Sequence, residues 1–151
     1  MFILQNRDDA LSPRGIDQVV EACRQIQFDD TRLPTLVKYS LAASCIDSAM
    51  IVGQELKLGT DRIVPEFTFL DPRGIGDWDM SSRDVTIPAL WAMDNDEAGT
   101  DGLNALPPSS DDGTPHEVLA DQAVRLRQIL SILESQYSGD TILLVQLYCQ
   151  L

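Results

Sequence analysis

The chain has 151 residues, of which 44% are hydrophobic, enough for one domain with a packed core and too apolar for global disorder. Its 11 Lys+Arg against 24 Asp+Glu give a formal net charge of −13. That surface repels phosphate backbones and argues against a nucleic-acid partner. No apolar run approaches the roughly 18 residues of a membrane span.

Residues 2–4 suit a strand stub. Leu11-Ser12-Pro13-Arg14-Gly15 then opens a helix, with Ser12 as N-cap and Pro13 in the first position, where its missing N–H costs nothing. Ile16, Val19, Val20, Cys23 and Ile26 follow at helical spacing to about Gln27. Thr35 to Tyr39 reads as a short buried strand. Ser40 is expected to cap a second helix running to about Lys57, with Ala43, Ile46, Ala49, Met50 and Val52 inward. Ile63-Val64 suits a strand, Asp71-Pro72-Arg73-Gly74 a turn, and 84–93 a short helix interrupted by Pro88.

Residues 94–114 are rich in Gly, Pro, Ser and acidic side chains, and are expected to form a mobile acidic loop. Thr114-Pro115-His116-Glu117 predicts a capping box opening a long helix to about Tyr137. Leu119, Ala123, Leu126, Ile129, Leu130 and Leu133 are its apolar side. Thr141 to Val145 is a near-continuous apolar strand of the kind found inside parallel sheets. Helices alternating with buried strands predict a layered α/β fold, read as one domain over residues 1–151.

Several motifs are tested and fail. Asp94-Asn95-Asp96 with Gly99 begins like an EF-hand loop, but Ala98 and Ala105 stand at the fifth and twelfth ligand places. Gly74-Ile75-Gly76 lacks the third glycine of a dinucleotide fingerprint, since Asp79 stands there. Cys23, Cys45 and Cys149 are widely spaced and form no Cys-x-x-Cys, so neither zinc nor a disulfide framework is expected. They fit a reducing, intracellular compartment, cytoplasm or chloroplast stroma. Cys45, near a helix start, suits an activated thiol less well than a small buried residue.

Four stretches resemble the histidine phosphatase superfamily, in particular phosphoglycerate-mutase-like proteins of plants and algae. They are Leu11-Ser12-Pro13-Arg14-Gly15; Tyr39-Ser40 through Asp47-Ser48-Ala49; Val64-Pro65-Glu66 with Gly76-Asp77-Trp78-Asp79-Met80; and His116-Glu117 with Gly139-Asp140-Thr141-Ile142-Leu143-Leu144-Val145. The resemblance implies a three-layer α/β/α sandwich. It also implies phosphoryl transfer through a covalent phosphohistidine, with two arginines and a second histidine on the phosphoryl oxygens and a carboxylic acid for the leaving oxygen.

This chain departs from that set. No Arg-His-Gly occurs, and residues 1–10 contain no histidine. Ser44 stands where the second arginine belongs, four positions after Ser40, and Gln146-Leu147-Tyr148 replaces the expected Ser-His-Gly. Only Glu66 matches the acid–base set, as a vestigial acid. Ser40, Ser44 and His116 are the candidate ligand-binding residues, and no metal or other cofactor is expected. The matched region begins after the family's first strand and stops at Val145, so an incomplete sheet is expected. The reading is a non-catalytic domain acting through a protein partner. Its alternatives are a phosphatase or mutase whose histidine strand is missing from this chain, and a structural subunit of a larger assembly.

Overall fold

In the computed structural model, residues 10–28, 33–79, 81–95, 99 and 101–146 are described. The candidate strand at 2–4, Cys149 and the pair Leu147-Tyr148 lie outside them. Seven principal elements occur in the order α1 (Pro13–Phe28), β1 (Leu36–Tyr39), α2 (Ala43–Glu55), β2 (Ile63–Pro65), α3 (Arg83–Asp94), α4 (Leu119–Gln136) and β3 (Ile142–Val145). The described residues divide into two compact units, those up to 71 with 133–146 and those from 72 to 132, the boundary falling within α4.

The first unit is an α/β layer structure around an all-parallel sheet of order β2-β1-β3. Parallel neighbours need a crossover between them, and α2 supplies the one joining β1 to β2. In register, Val37 lies between Ile63 and Leu143, and Tyr39 between Pro65 and Val145. At the N-terminal end of the sheet, the Thr35 hydroxyl donates to Asp140 Oδ1 (2.7 Å) and accepts from the Thr141 N–H (3.1 Å).

All four β1 residues are buried, as expected of a strand covered on both faces. Val37 and Tyr39 share a core with Cys23 of α1 and Ala49 and Val52 of α2, joined by Ile46, Ile63, Leu143 and Val145. Leu36 and Lys38 point to the opposite face by the two-residue period. There the Lys38 ammonium sits 5.8 Å from the centre of the Tyr137 ring, directly after α4.

Ser12 caps α1 as expected, its hydroxyl accepting the Gly15 N–H at 3.1 Å. Ser40 does not cap α2. Ala42 is the N-cap, because the Ser40 N–H still belongs to the sheet and donates to Val145 O at 3.0 Å. Met50 faces outward, against the expected stripe, whereas Cys45 is buried as expected.

The second unit is built around Leu90, Met93 and Ala105, against which Ile75 and Trp78 pack. α3 is continuous through Pro88. The bond lost there would have gone to the carbonyl of Asp84, an exposed residue where water can take over.

α4 starts four residues later than Pro115. The Glu117 N–H donates to Gly74 O (2.9 Å), the Gly76 N–H donates to Pro115 O (3.0 Å), and His116 forms an isolated antiparallel bridge with Ile75. Those tertiary bonds take the backbone groups that a first helical turn would have needed, so the capping box does not form.

Thr114 instead serves a tight acidic turn. Its N–H and hydroxyl donate to Asp112 Oδ1 at 2.9 and 2.6 Å. With Ser110 these donors hold the Asp112 carboxyl down to about 2. Within the acidic segment, Ala105 and Pro107 are buried.

Thr86 lies on the inner side of α3, 5% exposed, and its hydroxyl has no hydrogen-bond partner among the described residues. Replacing an orphaned hydroxyl by a methyl of similar shape removes a desolvation cost. Thr86→Val is therefore expected to leave stability unchanged or raise it by up to about 1 kcal/mol, read as an unaltered or higher urea midpoint.

Candidate functional site at the carboxyl ends of the strands

In open parallel α/β sheets, ligands bind beyond the carboxyl ends of the strands. Here the three residues that follow β1, β2 and β3 are Ser40, Glu66 and Gln146. Two backbone bonds hold the first two in place: Ser40 N–H to Val145 O (3.0 Å) and Glu66 N–H to Tyr39 O (2.7 Å).

Ser40 is fully buried and its hydroxyl accepts the Ala42 N–H at 3.2 Å. Its oxygen therefore fixes the chain's entry into α2. Ser44 lies in the first turn of α2, and its carbonyl accepts the Ser48 hydroxyl at 2.7 Å. Cys45 sits beside both serines. Burial pushes its thiol up, and hydrogen bonds from Ser40 and Ser44 only partly oppose that, so it is not an activated nucleophile.

Glu66 has both oxygens engaged by the chain itself. Oε1 accepts the Thr68 N–H at 3.2 Å, closing the turn after β2. Oε2 faces the Lys38 ammonium at 3.9 Å, with the two side chains 20% and 11% exposed. In the sequence Lys38 reads as one polar residue interrupting a buried strand. Its only signal was that interruption, since a lysine at a doubly covered position must find a carboxylate.

Ser40, Ser44 and Glu66 belong to the first unit and His116 to the second, where it is exposed. Since only its backbone is used among the described residues, His116→Ala is expected to change the unfolding free energy by less than about 0.5 kcal/mol. A larger loss by chemical denaturation would show that the imidazole has a partner of its own. Among the described residues, no group of three or more His, Cys, Asp or Glu side chains is placed to hold a metal.

Among solved structures, the chain is similar to a mycobacterial glucosyl-3-phosphoglycerate phosphatase, with a TM-score of 0.64 and 21% identity over 91% of this chain. The fold is phosphoglycerate-mutase-like. A second structure, mycobacterial hydrolase 1, gives a TM-score of 0.61 at 20% identity over the same 91%. The chain spans 61% and 62% of the length of these two proteins. No protein-family model matches it, and neither does any curated protein. In this phosphoglycerate-mutase-like fold Ser40, Glu66 and Gln146 stand at the carboxyl ends of the three strands. No helix among the described residues is long and apolar enough to cross a membrane.

Proposed function

We propose that this chain is a non-catalytic domain of the histidine phosphatase type that works through contact with another protein. The observation carrying this reading is the first turn of α2. The position matching the phosphoryl-binding arginine is Ser44, a neutral hydroxyl beside a buried cysteine. A hydroxyl cannot supply the two parallel charged donors by which guanidinium grips a dianionic phosphoryl group. Glu66, the residue matching the proton donor, is meanwhile held between Lys38 and the Thr68 amide. A net charge of −13 further opposes an anionic substrate.

The likeness to a phosphatase favours a second reading, in which this chain is part of an enzyme whose nucleophilic histidine lies in sequence beyond it. Ser44 weighs against that, since it falls inside the matched region.

A turnover assay separates the two. The purified chain, and the longest gene product containing it, should neither hydrolyse p-nitrophenyl phosphate nor interconvert phosphoglycerates above background. Turnover by the longer product alone would favour the second reading. Turnover by the 151-residue chain that survives His116→Ala would overturn both.

A further inference from the structure

α3 is apolar on two sides. At 100° per residue, Thr86, Leu90 and Met93 share the inner side and are buried. Val85, Pro88 and Trp91 recur every three residues along the opposite side, with Ile87 next to Trp91. All four are exposed, Val85 at 68% and Trp91 at 42%. A helix apolar on two sides usually has both covered, yet the second side of this one is exposed among the described residues. Scattered exposed apolar residues are ordinary, but four on one helix side within two turns mark a contact surface.

Charge indicates what fits there. Segment 72–132 carries eleven Asp+Glu (77, 79, 84, 94, 96, 97, 101, 111, 112, 117 and 121) and four Arg (73, 83, 125 and 127), a difference of −7. Two of those arginines are already spent on carboxylates, Arg73 on Asp94 and Arg125 on Glu117. Asp84 lies on the exposed side of α3 itself, and Asp77 and Asp79 precede the helix, all three exposed. An exposed apolar stripe that contains Asp84, in a segment of this negative charge, complements an amphipathic helix with a basic polar face. It repels both an acidic segment and a second copy of this chain.

We infer that the outer side of α3, through Val85, Ile87, Pro88 and Trp91, docks a basic amphipathic helix of a partner protein. This rests on the interaction role proposed above, and its failure would leave the turnover result untouched.

The test is calorimetric titration of the full chain with two designed helical peptides of one apolar pattern, one Leu/Lys and one Leu/Glu. The Leu/Lys peptide should bind saturably, with the Leu/Glu peptide at least about tenfold weaker. Trp91→Ser should weaken Leu/Lys binding about tenfold or more, as loss of a central aromatic anchor does. Val124→Ser, on an exposed apolar residue of α4, should leave it unchanged. Should Trp91→Ser fail to fold by circular dichroism, Val85→Ser at the other end of the stripe gives the same comparison. Equal binding of both peptides, no saturable binding, or indifference to the α3 substitution would each overturn the inference. So would sedimentation showing that the α3 side instead pairs two copies of the chain.

Discussion

Arg73→Ala is expected to destabilise the second unit by about 3–5 kcal/mol, the usual cost of leaving a buried charge without its partner. Arg73 is 5% exposed at its side chain and Asp94 is 9% exposed. Its Nη1 donates to both Asp94 oxygens at 2.8 Å, its Nε to Glu117 O at 2.7 Å and its Nη2 to Ala105 O at 3.4 Å. One planar fork thus ties the end of α3 to two later loops. A lysine has one compact ammonium and cannot reach three separate segments, so Arg73→Lys should recover little.

The double replacement Arg73→Met with Asp94→Leu removes both charges together and should recover most of the loss. Urea unfolding followed through the near-ultraviolet signal of Trp78 and Trp91 measures all of these variants. An unchanged midpoint for Arg73→Ala would mean that the unit is held by its small apolar core alone.

Gly76→Ala should be comparably damaging, for a steric reason. Gly76 has φ +59°, and a Cβ placed on it would lie 1.9 Å from the Pro108 carbonyl oxygen. The left-handed backbone alone costs an alanine about 1–2 kcal/mol. The clash is with backbone rather than a movable side chain, so the total should reach about 3 kcal/mol or more. Gly113 makes the control, since its φ is +80° but nothing lies within 4 Å of its would-be Cβ. Gly113→Ala should therefore show only the conformational cost. Equal losses at the two positions would mean that 108–116 does not pack against 74–76 as described.

The contrast between those glycines shows what could be read from the residues alone. α1, β1 and β3 were legible because each is decided by a local pattern: a serine cap with an apolar stripe, or a continuous buried run. The α/β class followed from their alternation. What stayed hidden depended on distant partners. Thr114-Pro115-His116-Glu117 has every local feature of a helix start, yet Gly74 and Ile75, some forty residues away, take its backbone groups.

Arg73 looked like a turn residue because nothing in Asp71-Pro72-Arg73-Gly74 shows that Asp94 and Glu117 converge on it. Lys38 is illegible for the same reason, its partner Glu66 standing just after the neighbouring strand. The candidate site residues Ser40, Ser44 and Glu66 could be named only through the resemblance of the sequence to a known family. That Glu66 is already committed to two donors could be learned only from the fold.

That commitment, with Ser44, makes catalytic silence the central claim, and phosphoenzyme trapping tests it most directly. The chain is incubated with phosphoglycerate labelled in its phosphoryl group and quenched in alkali, where a phosphohistidine survives. No label should remain on the protein. Stoichiometric label that is stable in alkali, lost in acid and abolished by His116→Ala would contradict the account, and would make the sole histidine of this chain a nucleophile.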